Sequence, residues 1–161
     1  MNPDTRTVLS RWDYLIAYGF GSGLAPRAPG TAGSLLALLL FLPCLTLPLL
    51  VQLVLIITTL VVGTLVSDRV ARELDLKDPS GIVIDEFVGM WITLLFLPSL
   101  WWLVPAFLLF RIFDILKPWP VSWADEELSG GAGIMLDDVV AGIYALGVLQ
   151  LAHYVVQEVM P

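Results

Sequence analysis

Basic residues are scarce in this chain, and sulfur and imidazole are nearly absent. Its 161 residues include eight Lys and Arg, one Cys and one His. The lone Cys44 excludes an internal disulfide and any cysteine-rich zinc site. It lies in an apolar tract with no neighbouring cation, the setting of a packing thiol rather than a reactive one. With a net charge of −7 and no basic stripe, a nucleic-acid-binding surface is excluded too. Charge of either sign is missing from three tracts, residues 28–67, 87–110 and 139–157. What remains is 58% hydrophobic and 14% charged, outside the usual soluble range and expected of an integral membrane protein.

The length suits one domain, residues 1–161. Met1 to Tyr18 lack a signal peptide's basic-then-apolar order. They read as a short interfacial helix, with Trp12, Tyr14, Tyr18 and Phe20 at headgroup level. As one helix the first uncharged tract would run about 60 Å, twice a bilayer core, so it must fold back. Pro43 and Pro48 mark the turn, giving helices over about 33–46 and 49–67. The third tract is one span. The middle tract either crosses once or breaks at Pro98-Ser99 into legs 81–97 and 100–117. All Lys and Arg fall in 1–27, 68–86 or 111–138. A hairpin in the middle tract puts every one of these segments on one side, the cytoplasmic side by the positive-inside rule. The expected fold is therefore all-α and polytopic: about five helices including two helical hairpins, with the polar site at the cytoplasmic face.

Three clusters of acids stand at the ends of the apolar tracts: Asp85 and Glu86, Asp114, and Asp137 and Asp138, with Arg111 and Lys117 beside the second. Carboxylates held near a membrane are costly and point to function. Each group also has a plainer explanation. Acids favour the first turn of a helix, and Arg111, Asp114 and Lys117, spaced i, i+3, i+6, can form ion pairs at a helix end. Three such groups on one face are poorly explained by capping alone. Carboxylates with two cations suit a metal site that handles phosphate, with Asp85, Glu86, Asp114, Asp137 and Asp138 as candidate ligands or base. Thr31 and Ser34 stand ahead of the first apolar helix, in a Gly/Pro loop that can offer backbone donors to an anion or simply cap the helix.

Four segments, GFGSGLAPRAPGTAGS, GIVIDEFVGMW, FRIFDILKPWP and GGAGIMLDDVVAG, follow one another over about residues 18–142. Together they closely resemble the phosphatidylglycerophosphatase A family. The resemblance implies a magnesium-dependent phosphatase of the bacterial inner membrane, its site facing the cytoplasm. Its substrate would be phosphatidylglycerophosphate and its product phosphatidylglycerol. On that reading Asp85, Glu86, Asp114, Lys117 and Asp138 are catalytic, and Arg111, Lys117, Thr31 and Ser34 hold the phosphate. Which carboxylate is the base stays open, as does an aspartyl-phosphate route. The expected partners are the lipid substrate and membrane lipids, with no nucleic acid.

Two other readings fit the sequence less well. A transporter using buried carboxylates as ion ligands needs acids at mid-membrane, whereas these gather at one face. A CDP-alcohol phosphotransferase needs an Asp-rich motif with an Ala-Arg pair and further spaced Asp residues, which are missing after Asp138.

Overall fold

The computed structural model describes residues 3–122 and 127–159, and every regular element among them is helical. Two short helices, α1 (Thr5–Ser10) and α2 (Trp12–Ala17), lead into a glycine-rich 3-10 turn, Gly19–Leu24. They occupy the segment expected at the interface, whose first two residues, Met1 and Asn2, lie outside the described part. Trp12 and Phe20 are exposed, but Tyr14 and Tyr18 are buried in the core instead of standing at headgroup level. Then come α3 (Pro29–Phe41) with a 3-10 extension (Leu42–Thr46), α4 (Leu49–Leu74), α5 (Ile84–Thr93), α6 (Leu103–Leu116) and α7 (Gly130–Val159).

Among the described residues three helical segments are long and apolar enough to cross a membrane: Pro29–Thr46, Leu49–Leu74 and Gly130–Val159. On α4 the side chains of Leu50, Val54, Ile57, Val61 and Leu65 are all exposed. Their spacing of three and four residues makes one stripe on one helix face. An apolar stripe of this length facing outward suits lipid as its solvent, not water.

The middle tract is not one span. By helical rise α5 is about 15 Å long and α6 about 21 Å, both short of a bilayer core of about 30 Å. Between them the chain breaks over Leu94–Trp102, where Phe96 has φ 57°. The two helices run back to back, since Glu86 at the start of α5 meets Arg111 near the end of α6. Their legs are shorter than the expected 81–97 and 100–117. The Pro43–Pro48 turn also forms as expected, but α3 and α4 do not pack along each other. Helix α5 lies against both, and α7 packs against α4, α5 and α6.

Small residues set the close contact between α5 and α7. A Cβ on Gly142 would fall 2.4 Å from the carbonyl oxygen of Gly89, and one on Gly89 would fall 2.7 Å from that of Asp138. Only glycine lets α5 and α7 approach this closely. The buried Thr93 hydroxyl donates to Gly89 O at 2.9 Å, which keeps its polar group satisfied at the seam.

The N-terminal helices are tied to the end of α4 by charge. Arg11 bonds Asp13 at 2.8 Å and Glu73 at 2.5 Å, and Arg69 reaches Asp13 at 3.2 Å. Asp13 is buried, and the Arg11 hydrogen bonds hold its carboxyl below the usual carboxylate range. A folded pKa lower than the unfolded value, about 3.9, gives stability that is present above that value and lost as pH falls through the folded one. Asp13→Asn should lower stability by about 2 kcal/mol at neutral pH. The gap from the parent should narrow as pH falls below about 3.9. Thermal unfolding in detergent at pH 7 and pH 3 checks both parts.

Candidate active site

The sequence places its acids on separate elements, and the fold gathers them. Asp85 and Glu86 occupy the first turn of α5. Arg111 and Asp114 sit in the last turns of α6, and Asp137 and Asp138 lie two turns inside α7 rather than at its start. Helix α7 begins earlier than the acid pair suggested, because Gly130-Gly131 opens it against α4. There Asp68 Oδ1 accepts the Gly131 N–H at 3.3 Å and Asp68 Oδ2 pairs with Arg72 at 2.8 Å. Asp68 of α4 thus fixes the start of the helix that carries Asp138.

Ser34 and Thr31 also sit inside a helix. Helix α3 starts at Pro29, with Ala28 at its N-cap in a left-handed conformation and no side-chain cap. The Ser34 hydroxyl lies 2.6 Å from Glu86 Oε2 and 2.8 Å from Gly30 O, so it holds a carboxylate rather than opening toward a ligand. Thr31 is half-buried on the first turn of the same helix.

The five acids divide into two sets. Glu86, Asp114 and Asp138 each offer a carboxylate oxygen, and these oxygens lie within 4.8 Å of one another. Arg111 Nη1 bonds Glu86 Oε2 at 2.5 Å and Asp114 Oδ2 at 2.6 Å. Asp137 Oδ2 instead pairs with Lys117 Nζ at 2.8 Å. Asp85 Oδ1 accepts the Glu86 N–H at 3.0 Å, which fixes the first turn. Lys117 does not pair back along α6 in this bond. It caps that helix at φ 43° and reaches across to α7.

Three carboxylates against one guanidinium leave an excess of negative charge in a largely buried space. Asp138 is 2% exposed, and its Oδ2 finds no hydrogen-bond partner among the described residues. A buried carboxylate oxygen without a partner is expensive. An oxygen-only donor set of this charge fits a divalent cation, which would supply the missing interaction. The group can therefore hold a metal ion.

Gly30 belongs to this site, although the sequence marks it only as part of a glycine-rich loop. A Cβ there would fall 2.2 Å from Glu86 Oε1 and 3.3 Å from both terminal nitrogens of Arg111. Gly30→Ala should therefore displace Glu86 and weaken metal affinity on the order of tenfold, the scale of a disturbed ligand support. Titration with divalent cations by calorimetry reads the change directly.

The fold and site define an all-helical membrane protein with its carboxylates gathered around a space suited to a metal ion. No solved structure matches the chain significantly. The sequence profile of the phosphatidylglycerophosphatase A family matches residues 15–153, and the chain belongs to that family. It is 42% identical over 147 residues to phosphatidylglycerophosphatase A of Escherichia coli K12, covering 90% of this chain and 86% of that one. The Haemophilus influenzae Rd protein of the same name is 45% identical over 156 residues, covering 95% and 96%. A Bacteroides thetaiotaomicron protein, 42% identical over 150 residues and covering 88% and 94%, carries the provisional name phosphatidylinositol-3-phosphatase.

Proposed function

We propose that this protein is a phosphatidylglycerophosphate phosphatase, hydrolysing the terminal phosphomonoester to phosphatidylglycerol and inorganic phosphate. The observation that carries the reading is the buried Glu86–Asp114–Asp138 group with its orphaned Asp138 oxygen, in a chain of this family. Magnesium suits these hard oxygen donors and, when bound, would polarise the phosphoryl group and favour attack by water.

The chain's own residues do the rest. Ser34 and Arg111 hold Glu86, and Arg111 holds Asp114, so two candidate ligands are set before substrate arrives. Asp85, outside the group of three, is assigned the proton of the attacking water. Lys117 and the start of α3 at Gly30-Thr31 receive the phosphoryl oxygens. Water oxygen bonds to phosphorus as the bond to the glycerol oxygen breaks.

A bacterial inner-membrane setting with the site toward the cytoplasm is supported by the gathering of Lys and Arg at the site end. Arg69→Cys and Lys117→Cys should react with an impermeant thiol reagent from one and the same side, and labelling from opposite sides would overturn that topology.

The activity is tested by phosphate release from phosphatidylglycerophosphate by purified protein, with and without magnesium. Phosphatidic acid and phosphatidylinositol 3-phosphate run in parallel. Magnesium-dependent release, fastest with phosphatidylglycerophosphate, is expected. No release from any lipid would remove the phosphatase reading.

A further inference from the structure

A cavity of about 210 Å³ lies on the other side of α5, between α2, α4 and α5. Ile16, Phe20, Thr59, Val62, Phe87 and Trp91 line it. Its α4 wall continues directly into the outward stripe of Ile57 and Val61. A space that opens beside a lipid-facing stripe is filled by hydrocarbon rather than water, because its lining offers water few partners. Its lower end is Ile84, the residue before the Asp85-Glu86 pair.

Phe20 supplies an independent sign of use. It sits at φ 56° between two glycines that also have positive φ, a conformation that a bulky residue adopts at a cost. Its ring is nevertheless 56% exposed at the cavity rim, 6.1 Å from the ring of Phe87. The strain secures no deep burial for Phe20. It instead places an aromatic wall at the mouth of the groove.

Resting on the lipid-phosphatase reading, we infer that this groove receives one acyl chain of the substrate while its phosphate lies at the carboxylates. The two places are separated by the body of α5, and a helix is about 10–12 Å across. The substrate's glycerol and phosphodiester separate its terminal phosphate from its chains by a comparable reach. Groove and carboxylates lie on different faces of α5, so a bound lipid would straddle the helix start, with its headgroup near the Gly19–Leu24 turn. Transfer of a chain from bilayer to groove gains little from hydrophobicity, since both are hydrocarbon. The groove therefore acts through fit and orientation, and its effect falls on the use of long-chain substrate.

The test fills the groove with Thr59→Phe and opens it with Phe20→Ala. Each variant is assayed on long-chain and dihexanoyl phosphatidylglycerophosphate, the latter too short to occupy the groove. A loss of roughly tenfold in kcat/KM is expected for the long-chain lipid with Thr59→Phe, the scale of one overpacked contact. Turnover of the short-chain lipid should be unchanged. A second arm uses a photoreactive diazirine on the chain of the substrate and, separately, on phosphatidylcholine. Substrate should label peptides containing Phe20 or Trp91 in the parent and lose that labelling in Thr59→Phe.

Equal labelling by phosphatidylcholine would make this a general lipid site and overturn the inference. So would unchanged long-chain kinetics in both variants. If Thr59→Phe does not fold, Phe20→Ala, which alters only an exposed side chain, decides by the same long-to-short ratio. Absence of turnover on both lipids by the parent protein would instead overturn the phosphatase reading, and photolabelling would still report on the groove.

Discussion

Asp138→Asn should abolish turnover and at the same time stabilise the metal-free protein. The two effects have one cause. Without a metal, Glu86, Asp114 and Asp138 crowd their negative charges within 4.8 Å, and Arg111 offsets only part of that repulsion. Replacing the orphaned Asp138 carboxylate with an amide removes charge while keeping the shape. The metal-free melting temperature should therefore rise. With magnesium present the order should reverse. The parent gains stability as the ion binds the folded state, by about 2.7 kcal/mol at a hundred times Kd, and the variant gains little. Activity should fall by at least ~10³-fold, because several kcal/mol of transition-state stabilisation depend on the ion. Asp114→Asn should behave alike. Asp85→Asn should lose activity too, yet keep its magnesium-induced stabilisation, since Asp85 lies outside the group of three. Near-normal turnover of the Asp138 variant at limiting magnesium would sink the metal-site model.

Much of this arrangement is legible in the sequence because charge is so sparse there. When long tracts carry no charged residue, the few acids near their ends mark the candidate site, although Asp137 and Asp138 lie two turns inside α7 and do not mark its start. The return of the middle tract followed from the same sparseness. A single span would have parted Asp85 from Asp114, whereas the fold joins their helices through Arg111. What stayed hidden depends on contacts between elements. Composition could not reveal that α5 separates α3 from α4, since neither neighbour carries a charge through residues 28–67. Nor could it show that Asp137 and Asp138, adjacent in sequence, serve different partners. On a helix, successive residues point about 100° apart, so one turns to Lys117 and the other to Glu86 and Asp114. The sequence makes Ser34 a candidate for holding phosphate, and a serine one turn into a helix also has its own i−4 carbonyl within reach. Here that carbonyl is Gly30 O, and Glu86 stands on the other side of the hydroxyl. Gly30 was visible only as a glycine, and the carboxylate it makes room for is 56 positions away.

Lys117→Met should lower turnover on the order of 10²–10³-fold, and a second substitution should fail to restore it. Lys117 admits a purely structural explanation, because its ammonium lies 2.8 Å from Asp137 and fastens the end of α6 to α7. The pair is partly exposed, with Lys117 at 29% and Asp137 at 10%. Breaking it would then cost stability mainly by taking the Lys117 ammonium away from a buried carboxylate. In that case Lys117→Met/Asp137→Asn removes the uncompensated charge and should recover both stability and activity. The catalytic role predicts a different pattern. A cation that meets charge developing on the phosphoryl oxygens contributes chiefly in the transition state, and loss of one such group costs about 10²–10³ in kcat. The double variant would regain its melting temperature but remain slow. Methionine keeps the apolar stem and unbranched shape at this left-handed position, so the strain at φ 43° is the same in parent and variants. Magnesium affinity should change little, since Asp137, which Lys117 bonds at 2.8 Å, lies outside the group of three. Melting temperature, magnesium titration and steady-state rate on the single and double variants separate the two roles. Recovery of rate together with stability in the double variant would make Lys117 a fastening between α6 and α7 and leave phosphate binding to Arg111 and the start of α3.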